Sequence, residues 1–134
     1  HYWADKETGD KLSNLDPSKI QIDFTNDGWT EDKSAETTER NVFYYNSILK
    51  KGQTSSDFTD KISIAGDIAT IVGRTSQTDG NGLTTITTTY EYDGACFVLE
   101  ATVDAVQTHN AKSAIKSAWG VDVNISDDGA LSLE

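Results

Sequence analysis

The sequence predicts an all-β fold, an antiparallel β-sandwich with one short helix near the C-terminus. Three observations support this class. Thr, Ile, Val, Phe and Tyr are used heavily, Met is absent and Pro occurs once, which suits pleated, half-buried surfaces. About eight or nine short segments have strand patterns and turn residues between them. A single segment has helical periodicity, and this arrangement favours a sandwich over βαβ units.

The first half of the chain contains the less regular strands. Alternation of Ile20, Ile22 and Phe24 with polar residues predicts a half-buried strand. The polar segment 30–40 is expected to be a loop. The other expected strands here are 2–5, 42–45, a region marked by Phe58, Ile62 and Ile64, and 68–72 ending at Gly73.

The strongest turn signal lies in 75–82, which contains Asp79, Gly80, Asn81 and Gly82, and predicts a long hairpin. Segment 84–92 is β-branched and aromatic throughout, so it is the clearest strand candidate. A tight turn at 93–94 should join it to 96–106, where apolar and polar residues alternate. We therefore expect 96–106 to be the antiparallel partner of 84–92.

One helix is predicted over 111–119, with Asn110 as its N-cap and Gly120 as its stop. Val121, Val123 and Ile125 then alternate as a strand before a turn at 127–129. At 134 residues the chain is expected to be one domain, residues 1–134.

The charge of the chain limits its partners. The formal net charge is −11 and acidic residues are spread along the sequence. Nucleic acids and anionic membrane surfaces require clustered Lys and Arg, so neither is an expected partner. No apolar run approaches membrane-spanning length, so membrane insertion is not expected. Cys96 is the only cysteine and lies in the apolar run 95–99, where a buried, unreactive thiol is expected.

Catalytic arrangements are missing from the sequence. A zinc protease needs His-Glu-x-x-His, whereas His1 and His109 are the only histidines and lie far apart. No Gly-x-Ser-x-Gly motif occurs, and no cationic residue adjoins Cys96 to make it a nucleophile. We predict that the chain is not an enzyme and has no catalytic residues.

Calcium is the one cofactor for which the sequence offers ligands. Asp79 with Asn81, and Asp127 with Asp128, place oxygen ligands in turns, which hard cations prefer. Neither segment follows the EF-hand spacing, so plain turns are the favoured interpretation and no cofactor is expected.

Aromatic residues are the candidates for a binding or self-assembly surface. Tyr44 and Tyr45 must point to opposite faces of a regular strand, so one of them is exposed or covered by a partner. The full candidate set is Tyr2, Trp3, Trp29, Tyr44 and Tyr45. These side chains could also line a carbohydrate or peptide groove.

Several segments together resemble one family. Trp29 followed by a polar loop and 43–54, then 58–64, then 101–107 with a later Ala118–Trp119, are similar in order and spacing to the TasA and camelysin group of exported bacterial proteins. The resemblance covers residues from about 20 to 119. The family's earlier strands have no counterpart in this sequence, so the predicted domain would lack its N-terminal strands.

The resemblance implies a jelly-roll-like sandwich, a SipW-type signal peptide for export, and assembly into extracellular fibres of a biofilm matrix. It also implies that the partner is another copy of the chain, alongside other matrix components. The expected function is therefore a secreted, non-enzymatic fibre subunit that assembles by strand exchange. The alternative is a surface adhesin or carbohydrate-binding β-sandwich module.

Overall fold

The computed structural model describes residues 1–134 and confirms an all-β chain with one short helix. Its elements, in chain order, are β1 (Tyr2–Asp5), β2 (Ile20–Phe24), β3 (Trp29–Glu31), β4 (Phe43–Tyr45), β5 (Thr59–Ile64), β6 (Ile71–Thr78), β7 (Thr84–Tyr90), β8 (Ala95–Val98), α1 (Ala111–Trp119), β9 (Val123–Ile125) and β10 (Leu131–Leu133). Short 3-10 helices occupy Pro17–Lys19 and Gly66–Ile68.

The strands pair only two by two. The pairs β1–β8, β3–β4, β6–β7 and β9–β10 are antiparallel, and β2 pairs with β5. No sheet has a third strand. The jelly-roll topology and the single sandwich domain over residues 1–134 therefore stay predictions.

The chain forms two compact units, each made of two separate segments. Unit 1 comprises His1–Gln21 and Ile62–Leu99, and unit 2 comprises Ile22–Lys61 and Glu100–Glu134. Both have small cores. The buried hydrophobic residues of unit 1 are Trp3, Ala4, Leu15 and Ile20, and those of unit 2 are Tyr44, Ile115 and Val123.

The helix bounds are confirmed, and its end follows from Gly120. Gly120 adopts a φ of 76° and its N–H donates to the Lys116 carbonyl at 3.0 Å, which ends the helix in the left-handed conformation that glycine favours. Asn110 occupies the predicted N-cap position, and its carbonyl accepts from the Ala114 N–H at 3.1 Å. Asn110 itself adopts a φ of 58°, and its side chain makes no capping hydrogen bond.

The β6–β7 hairpin is confirmed, with a shorter turn than the sequence indicated. Asp79 N–H donates to the Leu83 carbonyl at 2.9 Å, so the turn is confined to residues 79–83 and Thr75 lies inside β6. The predicted strand 68–72 is also displaced. The Gly66–Ile68 helix occupies its start, and β6 begins at Ile71 and continues through Gly73.

The largest correction concerns segment 96–106, which is not the partner of β7. The chain turns through residues 91–94, where Gly94 has a φ of 75°, and β8 then pairs with β1. Lys6 N–H donates to the Gly94 carbonyl at 2.8 Å and continues this pairing. Residues 99–107 belong to no strand. In this long-range pairing Trp3 of β1 lies opposite Phe97 of β8, and their rings contact edge-on at a centroid distance of 6.5 Å.

Two smaller differences concern unit 2. The expected loop 30–40 begins later, because Thr30 and Glu31 pair with Tyr44 and Phe43 in β3–β4. Strand β10 was not predicted, and it follows the turn at 127–129 to complete a hairpin with β9.

Candidate functional site

The five predicted aromatic residues lie in different units. Tyr2 and Trp3 belong to β1 of unit 1, whereas Trp29 lies in β3 and Tyr44 and Tyr45 lie in β4 of unit 2. The three in unit 2 are brought near one another by the β3–β4 pairing, which sets Trp29 opposite Tyr45.

Trp3 is a core residue and not part of a surface. The residue is only 4% exposed, and its indole N–H donates to the Asp16 carbonyl at 2.8 Å. The Tyr92 ring packs edge-on against it at a centroid distance of 5.0 Å. A buried indole with its N–H satisfied stabilises the unit and offers nothing to a partner.

Tyr2, the preceding residue, is half-buried. The Lys11 ammonium lies 5.4 Å from the centroid of its ring, within the range of a cation–π contact. This contact holds Lys11 over the ring.

The prediction that Tyr44 and Tyr45 face opposite sides is confirmed. Tyr44 is 9% exposed and packs against Trp119 at 5.6 Å, whereas Tyr45 is half-buried and packs against Trp29 at 4.9 Å. Burial, and secondarily the nearby negative charge of Asp32, raise the pKa of the Tyr44 phenol above its ordinary value of 10.0. Tyr44 is thus a core residue, and Tyr45 retains an accessible edge.

Trp29 belongs to a cluster of half-exposed rings in unit 2. Its ring lies 5.3 Å from that of Phe58, and its indole N–H donates to the Ser56 carbonyl at 3.3 Å. The cluster comprises Phe24, Trp29, Phe43, Tyr45 and Phe58. Position 28, beside this cluster, favours glycine for two reasons. Its φ is +74°, and a Cβ there would lie only 3.2 Å from Tyr45 Cε2.

An open groove of about 580 Å³ lies in the same unit, beside the segment that carries Phe58 and Ser56. Its lining is polar and acidic: Thr25, Asp27, Ser55, Ser56, Asp57 and Asp60. The Thr25 hydroxyl donates to the Asp57 carbonyl and fixes one wall. Sequence reasoning missed this groove, because it is formed by the loop after β2 together with the segment that leads into β5, which are distant in sequence.

Large apolar side chains are exposed on the β6–β7 hairpin of unit 1. Val72 and Ile86 are both 60% exposed, and Leu83 at the turn is more exposed still. The outer edges of both strands lack a pairing strand. Exposed apolar groups on an unpaired edge are typical of surfaces that another chain covers.

The calcium candidates act as turn residues. Asp79 Oδ1 accepts from the N–H groups of Asn81 and Leu83, each at 2.9 Å. In the turn at 127–129, Asp128 Oδ1 accepts from the Ser126 hydroxyl, which holds the pKa of Asp128 below its ordinary value of 3.8. No group of three or more His, Cys, Asp or Glu side chains is placed to hold a metal ion.

The residues tested for catalysis are scattered in the fold. His109 is exposed immediately before Asn110, and Cys96 is a free, half-buried thiol in β8 opposite Ala4. Burial of Cys96 is thus less complete than predicted.

The comparisons with known proteins provide no family. The chain matches no protein-family model, no curated protein and no solved structure at a significant level. Among its helices, none has the length and apolar composition needed to cross a membrane.

Proposed function

We propose that this chain is a secreted, non-enzymatic structural protein, a subunit of a surface or biofilm-matrix fibre that assembles by exchange of strands between copies. The observation that carries the proposal is the pairing of all ten strands in sheets of only two. An unpaired strand edge presents a row of N–H and C=O groups to any chain that can pair with it.

The small cores support the same proposal. Seven hydrophobic residues are buried in 134, while many large apolar side chains remain in contact with solvent. Covering such side chains with a neighbouring strand would contribute on the order of 25 cal/mol for each Å² removed from water. The resemblance of 43–54 and 58–64 to fibre-forming exported proteins is an independent support from the sequence.

The charge of the chain fits a partner of its own kind or another matrix component. A net charge of −11 opposes binding to nucleic acid and to anionic membranes. It also makes copies repel one another, so assembly should be promoted by salt, which screens exposed charges beyond about 8 Å at physiological ionic strength.

The test is to raise the concentration of the purified chain at 0.15 M salt and follow light scattering and negative-stain electron microscopy. We expect filaments above a threshold concentration, and fewer of them when salt is removed. A chain that stays monomeric in size-exclusion chromatography with light scattering, at every concentration and pH tried, would contradict the proposal.

The alternative, a surface adhesin or carbohydrate-binding module, is favoured by the acidic groove of unit 2. Sugars bind where aromatic faces and carboxylate oxygens converge, and Trp29 lies next to the groove residue Ser56. Titration with glycans, monitored by tryptophan fluorescence, would then show saturable quenching that Trp29→Phe changes. A Ca²⁺ titration followed by melting temperature tests whether the 79–81 and 127–128 turns bind the ion.

A further inference from the structure

One segment has the sequence of a strand and no strand partner in the structure. Within this segment, 101–107, the residues Ala101, Val103 and Ala105 alternate with Thr102 and Asp104 as far as Val106, and no backbone hydrogen bond joins the segment to the rest of the chain. Val103 is 88% exposed, the highest exposure among the large hydrophobic residues. A period of two places these three side chains on one face, which would be buried only if a sheet formed around the segment.

A matching vacancy exists at the outer edge of β7. This strand consists of Thr, Ile and Tyr, with no charge, Gly or Pro along Thr84–Tyr90. Charged residues and bulges are the usual protections of an edge. The outer edge of β6 has both, since Arg74 lies in the strand and the pairing is irregular between Ile71 and Gly73. The β7 edge is therefore the unprotected side of the hairpin.

The side chains of the two elements are complementary in pattern. Ile86 and Tyr90 are four residues apart on β7, so they share one face of the hairpin, and both are exposed. An added strand with Ala101, Val103 and Ala105 on that face would lie beside β7 and pack these side chains laterally against Ile86 and Tyr90.

We propose that residues 101–107 of one copy add as a strand to the free edge of β7 in a second copy of this chain. The inference rests on the proposed self-assembly and names the segments that carry it. It also accounts for the local sequence pattern, which marks 96–106 as a partner of β7, because the pairing is made between copies once β8 has paired with β1.

The size and symmetry of this contact define the kind of assembly. Each copy contributes a donor segment and an acceptor strand of seven residues each. This is fewer than the roughly 20–30 residues a side of a stable interface, so single contacts should be weak and concentration-dependent. Donor and acceptor are different surfaces, so the contact is head-to-tail, and such contacts continue into open filaments unless they close a ring.

Proline substitution tests the donor segment. Thr102→Pro and Val103→Pro each remove one N–H, and adjacent N–H groups of a strand point in opposite directions, so one of the two must face β7. Neither N–H is bonded in the single chain, so the melting temperature of the monomer should not change. We expect at least one variant to need a roughly tenfold higher concentration to assemble, the cost of one unsatisfied ladder group.

The matched control is Thr38→Pro. Thr38 is exposed and occupies the second position of the turn in which Arg40 N–H donates to the Thr37 carbonyl at 3.3 Å, where proline is favoured. It should assemble as the unmodified chain does. If the unmodified chain assembles and both 102 and 103 variants assemble equally well, the inference is wrong while the fibre proposal stands. If the unmodified chain never assembles, both are wrong.

Cysteine pairing tests the acceptor. In a Cys96→Ser background, one chain carries Val103→Cys and a second, differently tagged chain carries Thr88→Cys, which lies on the same face of β7 as Ile86 and Tyr90. Each chain then has one thiol, so a disulfide between the two tags can form only between copies. With equal amounts of the two chains, random pairing alone gives the mixed dimer at twice the yield of each like-with-like dimer, and we expect the mixed dimer to exceed that proportion clearly under mild oxidation. A mixed dimer that only reaches this statistical proportion would overturn the assignment of β7 as the acceptor.

Discussion

Truncation of Ile115 to Ala should remove a large part of the stability of unit 2. Ile115 is 2% exposed on α1, which packs on β9, where Val123 is fully buried. The change deletes three buried carbon groups at about 0.8 kcal/mol each, so the transfer loss is about 2.4 kcal/mol. The remaining cavity adds to this loss, for a total of about 2–5 kcal/mol, and the higher helix propensity of Ala restores only a few tenths. With so few buried residues, that loss is a substantial fraction of a typical stability of about 5–15 kcal/mol.

The matched control is Ile86→Ala, where the same groups are removed from a side chain that is 60% exposed. We expect a loss of about 1 kcal/mol or less there. The measurement is urea unfolding at one low protein concentration, followed by tryptophan fluorescence, to which Trp119 of the same helix contributes. Equal losses for both variants would refute the assignment of Ile115 to the core of unit 2.

Three further outcomes are expected. Gly129→Ala should lower the melting temperature, because Gly129 has a φ of +87° and a Cβ there would lie 2.6 Å from Ile48 Cδ1. The control is Gly52→Ala, which has a similar φ of +83° but open space around the added Cβ, so the difference between the two variants measures the cost of the contact with Ile48. The pKa of Asp128 is lower in the folded chain than its ordinary value of 3.8, so its carboxylate stabilises the fold at pH values above 3.8, and this stabilisation is lost as the pH falls through the folded-state pKa. Asp128→Asn should therefore show a smaller drop in melting temperature between pH 5 and pH 2 than the control Asp127→Asn. The pKa of Tyr44 is raised in the folded chain, so the neutral phenol stabilises the fold below pH 10, and this stabilisation is lost as the pH rises through the folded-state pKa. Tyr44→Phe should therefore unfold less readily in alkali. An unchanged alkaline unfolding transition would contradict the burial of Tyr44.

Local patterns predicted the elements whose partners are close in sequence. The bounds of α1 and β2 and the existence of the β6–β7 hairpin follow from periodicity and from turn residues such as Asp79. The partner of β8 could not be predicted in this way. It depends on contacts between distant residues such as Trp3 and Phe97, and the local periodicity of each strand does not reveal which distant strand it pairs with.

The candidate site was predicted less completely than the fold. An aromatic residue on a short strand can face the core or the solvent, and only the packing decides which. Trp3 faces the core because the Asp16 carbonyl accepts its N–H, thirteen residues away, while Tyr45 keeps an accessible edge beside Trp29. The free edge of β7 and the unpaired segment 101–107 were not predicted, because the local pattern indicated that 84–92 and 96–106 pair with each other within one chain.

The interleaved order of the two units has a consequence for folding during synthesis. Unit 1 is complete only after residue 99 has been made, and unit 2 only after the last segment, so no compact unit can close while the chain is half made. The edge of β1 that pairs with β8 has to remain open until β8 emerges, and only the bridge between Ala4 and Lys11 can form earlier. Such long-range closures slow folding and prolong the exposure of strand edges. The nascent chain should therefore be most vulnerable to premature association before β8 appears, and a chaperone that holds its first segment would protect it most during that interval.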